Sequence, residues 1–207
     1  MEKINNIQTK NSIADMIKKE ILFNRLKDGE ELVQDTIAGK LGVSRMPVRE
    51  AFQILEMEGF IQRLPNRHMV VRGVTQKSIC EIFDLIEHIQ ISFIKEILHF
   101  DKDCGKEFTK LLNRYKMKEI KEIMLHNFFS DILDNLYLQL LHERLLNGYV
   151  AFVLEDLKIS ETEDTTVWDE IGEALGKKDE TRLAELFHGY FTNLAGKMIK
   201  EVLNEEI

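Results

Sequence analysis

The chain has 207 residues, a formal net charge of −8, 44% hydrophobic and 31% charged residues, which is apolar enough for one or two buried cores and too apolar for a disordered chain. No run approaches the roughly 18 consecutive apolar residues of a membrane span, and the opening MEKINNIQTK lacks the apolar centre of an export signal. The expected location is therefore the cytoplasm, with Cys80 and Cys104 as reduced, packed thiols. The charge is uneven: Met1 to Thr75 holds 12 Lys+Arg against 10 Asp+Glu, and the remainder 16 against 26. Between Thr36 and Thr75 six basic residues face three acidic ones, so a small basic module joined to a larger acidic one is expected to meet a polyanion through one face.

Both prolines, Pro47 and Pro65, lie in the first module, and the pattern places its boundary near Gly73 to Thr75. Ser12 is an expected N-cap for a helix running to about Leu26, with Ile13, Ile17, Ile21 and Leu22 on its apolar face and Asp28-Gly29 as its turn. Asp35 is placed to cap a short helix, TIAGKL, that Gly42 closes in the left-handed conformation. Ser44 then caps a third helix in which Pro47 falls in the first turn, where its missing N–H costs little. This is the spacing of a helix-turn-helix. Val48, Ala51, Phe52 and Leu55 form the buried stripe of that third helix, leaving Arg45, Arg49, Gln53 and Glu56 on the opposite face. Arginines at the N-terminal end of such a helix can reach guanine edges or phosphates in a major groove. FIQRL and MVVRG around Pro65-Asn66-Arg67-His68 read as a hairpin with a basic tip, the form of a wing.

The run from Leu26 to Arg72, LKDGEELVQDTIAGKLGVSRMPVREAFQILEMEGFIQRLPNRHMVVR, resembles the GntR family of bacterial transcription regulators, with VSRMPVREA as its most specific part. The resemblance implies that Arg45 and Arg49 are the principal contacts to double-stranded operator DNA, assisted by Thr36, Ser44, Arg67 and His68. The family commonly has glycine where His68 stands at the wing tip, a departure that sets an imidazole between the wing backbone and DNA at that position.

From Gln76 onward the chain has no proline and reads as helical nearly throughout, with helices expected at Gln76 to His99, Lys106 to Met117, Lys118 to Leu133, Leu136 to Leu157, Asp164 to Leu175 and Glu180 to Asn204; ISETEDTT reads as a solvated loop and helix start. The fold class is thus mainly α: an N-terminal winged helix-turn-helix in residues 1–75, then an all-α helical-bundle effector domain in residues 76–207. This second part resembles the ligand-binding domain of the FadR-type branch, which implies a metabolite sensor that dimerises and a protein acting as a repressor more often than not. Many members of that branch hold a divalent metal through Asp-x-x-x-His and two later histidines. Here His126 and Ser130 stand at the first pair of positions, and Trp168 and Tyr190 at the later two, so neither metal nor other cofactor is expected. The metal-free members then suggest an apolar or amphipathic small-molecule effector, with His126, Phe129, Ser130, Tyr149, Trp168 and Tyr190 as lining residues and Phe128, Tyr137, Phe152, Phe187 and Phe191 as further candidates. Ile86 occupies the place of an arginine found in carboxylate-sensing relatives. No phosphate loop, Gly-x-Ser-x-Gly elbow, Cys-x-x-Cys or His-Glu-x-x-His is present, so no catalysis is expected. The alternative is a helical enzyme or metal-dependent domain carrying a DNA-binding head.

Overall fold

The computed structural model describes residues 6–100, 104–157 and 165–204. These form two compact units, 1–75 and 76–207.

In the first unit, α1 (Asn6–Leu22), α2 (Gln34–Leu41) and α3 (Arg45–Met57) surround an apolar core. Helix α1 begins six residues before the expected cap and stops four residues earlier than expected, so Ser12 lies inside it. Nothing between Asn6 and Ser12 breaks a helix, and the left-handed Asn24 (φ 54°) ends the element before the Asp28-Gly29 turn is reached. Ile13, Ala14, Ile17, Ile21 and Leu22 are buried on its inner face, against the Val48, Ala51, Phe52 and Leu55 stripe of α3. Asp35 is not a cap: Val33 holds that position and Asp35 sits in the first turn of α2, where a carboxylate still favours the positive helix end. Gly42 closes α2 at φ 65°, a conformation that costs glycine nothing, and Val43 N–H returns to Ala38 C=O at 3.1 Å.

Three short strands complete this unit: β1 (Glu31–Leu32), β2 (Ile61–Arg63) and β3 (Met69–Val71). The sheet is antiparallel in the order β1-β3-β2, with Leu32 opposite Met69 and Gln62 opposite Val70. The β2–β3 hairpin is the expected wing. The two-residue β1 gives no legible alternation in the sequence, yet it covers the open edge of β3.

The second unit is helical among its described residues: α4 (Gln76–His99), α5 (Cys104–Lys116), α6 (Ile123–Ile132), α7 (Leu136–Leu145), α8 (Thr166–Lys177) and α9 (Glu180–Met198). Helix α4 packs along α9, α5 against α8, and α6 lies between α4 and α7. Helix α5 approaches α8 so closely that a Cβ on Gly105 would fall 2.9 Å from Gly176 Cα. The expected single helix from Leu136 to Leu157 instead widens after Leu145 into π-type turns at Leu146–Val150 and Phe152–Asp156, and α9 does so at Ile199–Leu203. Leu146, Gly148 and Val150, then Phe152, Val153 and Leu154, are all buried there, so this segment is covered by its neighbours around most of its circumference. Most of ISETEDTT, including the expected helix start at Asp164, lies outside the described residues. Cys104 is buried, whereas Cys80 is exposed rather than packed. No helix of the described residues is long and apolar enough to cross a membrane.

Candidate functional site

The N-terminal end of α3 and the wing tip supply the exposed cations. Arg45 and Arg49 point away from the buried stripe, and Thr36 and Ser44 are exposed beside them. Ser44 stands at the N-cap in extended conformation, but its hydroxyl makes no capping bond, leaving it available to an incoming acceptor. The wing turn is built by Leu64 N–H to His68 C=O at 2.8 Å, Arg67 N–H to Leu64 C=O at 2.8 Å, and His68 N–H to the Asn66 side-chain oxygen at 3.1 Å. It demands a left-handed residue at its third position, and Arg67 takes that conformation at φ 69°, at a cost of about 1 kcal/mol that glycine would not incur.

Arg45, Arg67 and His68 line one concavity of about 330 Å³ together with Glu31, Val33, Gln34 and Asp35. Its carboxylates lie against its basic side chains. Arg45 forms an ion pair with Asp35, and His68 Nδ1 lies 2.7 Å from Glu31 Oε1. Sequence counting from Thr36 onward missed both acids, since Glu31 reaches this face only through the pairing of β1 with β3. Arg49 has no ionic partner among the described residues.

In the second unit five of the six candidate ligand residues meet in one buried region. The His126 ring lies 5.0 Å from Trp168, 5.3 Å from Tyr190 and 5.6 Å from Phe191 by ring centroids; Phe129 is buried nearby against Phe108 and Phe187, and Ser130 follows one turn later on α6. Tyr149 instead packs edge-on to Phe83, and burial pushes its hydroxyl up to about 12. Tyr137, a further candidate, is a correction: it is 76% exposed and lines nothing in this core.

A hydrogen-bond chain threads the region. Glu122 Oε1 accepts from Tyr190 Oη and Trp168 Nε1, each at 2.8 Å, and Glu122 Oε2 accepts from Tyr115 Oη at 2.9 Å. Tyr190 has one proton and spends it on Glu122, so His126 Nε2, 3.1 Å away, must donate to the phenol oxygen. Ser130 Oγ likewise donates to Asn127 C=O at 3.0 Å, so His142 Nδ1, also 3.0 Å away, donates to Ser130. The remaining nitrogens, His126 Nδ1 and His142 Nε2, are acceptors, and both face the Gln90 carboxamide at 3.3 and 3.1 Å from Oε1. Gln90 Nε2 meanwhile finds no partner among the described residues. A half-turn of that amide presents two N–H donors to the two imidazole acceptors, the arrangement the donor count favours. Burial, then the neighbouring His142, lowers His126 to about 3, and burial lowers His142 to about 4; both rings are neutral at ordinary pH. Gln90, Glu122, Tyr115 and His142 were not among the expected site residues.

Residues 9–71 match the profile of the bacterial regulatory proteins of the gntR family. The chain is a gntR-family transcription regulator. It is 26% identical over 203 residues to the gluconate operon transcriptional repressor of Bacillus subtilis, spanning 90% of this chain and 83% of that one. It is also 30% identical over 115 residues to the HTH-type transcriptional regulator YdhC of the same organism, covering 56% of this chain and 49% of the relative. Among solved structures, Lar, described as controlling expression of the Listeria monocytogenes agr system, aligns with TM-score 0.66 over 97% of this chain and 98% of its own at 16% identity. E. coli McbR/YncC aligns with TM-score 0.60 over 93% and 98%, also at 16% identity. At such identities these structures attest the fold.

As a gntR-family regulator, the chain uses its winged helix-turn-helix to bind DNA, and α3 is the second helix of that motif. The divalent metal that a FadR-type resemblance would imply does not fit its helical unit. The donors at the corresponding positions are His126, Ser130, Trp168 and Tyr190, and an indole N–H has no lone pair to give. Among the described residues no group of three or more His, Cys, Asp or Glu side chains is placed to hold an ion.

Proposed function

We propose that this gntR-family regulator is a cytoplasmic homodimeric repressor of the FadR-type branch, with residues 1–75 as its DNA-binding domain and 76–207 as its effector-binding and dimerisation domain. Each copy addresses one half of a palindromic operator: Arg45 and Arg49 read base edges, Thr36 and Ser44 fix the helix on the backbone, and Arg67 and His68 bring the wing to the adjacent groove. The observation that carries this reading is the joint exposure of Arg45 and Arg49 on one end of α3, beside a wing tip that keeps Arg67 in a left-handed conformation. Glu31 and Asp35 compete with DNA for His68 and Arg45, which lowers affinity for arbitrary phosphate and favours sites that offer the arginine a better partner.

The effector site is assigned to the region of His126, Phe129, Ser130, Trp168 and Tyr190, with Tyr149 on its periphery. A relative named for the gluconate operon directs a first screen to sugar acids. The side chains favour an uncharged, hydrogen-bonding effector instead. Glu122 is an acid, the two imidazoles are neutral, Ile86 is apolar, and every described lysine and arginine from Lys106 to Lys200 is exposed apart from the half-buried Lys197. Selection of genomic fragments on the purified protein, followed by titration at several salt concentrations, tests the DNA-binding part. A palindromic consensus whose affinity falls steeply with salt is expected; equal binding to random duplex would refute sequence-specific recognition.

A further inference from the structure

We infer that the outer face of α7 is the surface through which two copies of this chain associate. Leu136, Tyr137, Leu140 and Leu141 are 69%, 76%, 56% and 39% exposed, and at about 100° per residue they fall on one side of the helix with Arg144 among them. Scattered apolar side chains are ordinary on a protein surface, but four adjacent ones on a single helix face mark an interaction site. Their size and grouping suit the apolar centre of an interface of about 800 Å² per partner, which is usually ringed by polar groups.

The occupant is a second copy because the stripe complements itself. Arg144 at one end and Asp134 at the other are both exposed, and neither has an ionic partner among the described residues. A two-fold axis passing between Leu140 and Leu141 runs the two helices antiparallel. It sets Leu140 of one copy against Leu141 of the other, lays Arg144 over the second copy's Tyr137, and brings Asp134 of that copy within reach of the same guanidinium. A parallel pairing would instead stack like charges on one another. The inference rests on the dimeric reading above and gives it a location.

The opposite face of α7 carries His142, whose ring is bonded to Gln90 of α4 and Ser130 of α6. The helix that joins the copies is therefore pinned from inside to the buried chain. An effector that rearranges the bonds of His142 moves the interface with it, a direct link from the buried polar chain to the contact between copies.

The test is sedimentation equilibrium of the full chain at micromolar concentration, for the wild type, Leu140→Glu, Arg144→Asp, the double variant Arg144→Asp with Asp134→Arg, and Leu85→Glu as a control on the half-exposed Leu85 of α4. A dimeric wild type is expected, with its dissociation constant raised at least about tenfold by Leu140→Glu, weakened by Arg144→Asp, restored in the double charge swap, and unchanged by Leu85→Glu. Circular dichroism checks that each variant is folded; should Leu140→Glu not fold, the charge-swap pair decides alone. A dimer indifferent to Leu140→Glu and to Arg144→Asp overturns this surface and leaves the dimeric reading standing. A wild type that stays monomeric even on operator DNA overturns both.

Discussion

The neutral imidazole pair makes the protein acid-labile in a calculable way. In the fold His126 is lowered to about 3 and His142 to about 4, whereas in the unfolded chain each returns to about 6.5. A lowered histidine means that, below pH 6.5, the unfolded state takes up a proton that the folded state refuses. The stabilising contribution is therefore complete above pH 6.5, shrinks as pH falls, and is exhausted only near the folded values. At about pH 5 each ring has lost some 1.5 units at about 1.4 kcal/mol per unit, or about 2 kcal/mol, and the pair about 3 to 4 kcal/mol. Two groups bend the curve the other way. Asp131 is raised by burial and by Glu143, and the exposed His88 by its hydrogen bond to Asp84 C=O and by the Asp84 charge; neither is buried like His126. Urea denaturation at about pH 7.5 and 5 measures the difference, with His142→Gln as the variant that keeps hydrogen-bonding capacity but cannot titrate. The variant should show about half the wild-type loss. A wild-type loss under about 1 kcal/mol, or an identical loss in His142→Gln, would refute the claim that these rings unfold from a neutral buried state.

Replacing Arg49 by Ala should cost about 1 to 3 kcal/mol of operator affinity, read by fluorescence anisotropy, while leaving thermal stability and oligomeric state unchanged. Arg67→Gly should separate stability from function. Relief of the left-handed strain is expected to add about 1 kcal/mol to folding stability in a denaturant melt, while DNA binding weakens through loss of the wing-tip cation. Gly105→Ala should destabilise by about 1 to 3 kcal/mol in the same assay, because crowding against Gly176 outweighs the higher helix propensity of alanine.

How much of this was legible in the sequence differs between the two units. The helix-turn-helix could be located residue by residue because its determinants are local: Gly42 at a left-handed closure, Pro47 in a first turn, and the Val48, Ala51, Phe52, Leu55 period each act within a few residues of themselves. Local signals also misled. Ser12 and Asp35 are good capping residues at places where the chain had no helix end to cap, since α1 had already begun and Val33 was already extended.

The sensor core shows the opposite balance. Apolar periodicity determined that α4, α6 and α9 have inward faces, and the family resemblance singled out His126, Ser130, Trp168 and Tyr190. What joins them is nonlocal: Gln90 meets His142 across 52 positions, Glu122 meets Tyr190 across 68, and His126 meets Tyr190 across 64. The same holds on the DNA face, where Glu31 reaches His68 only because two residues of β1 pair with β3. A sequence pattern records which side of an element avoids water, because that preference belongs to each side chain alone. Which buried polar group satisfies which other is a property of pairs, and only the packing of one helix against another brings the pairs into being.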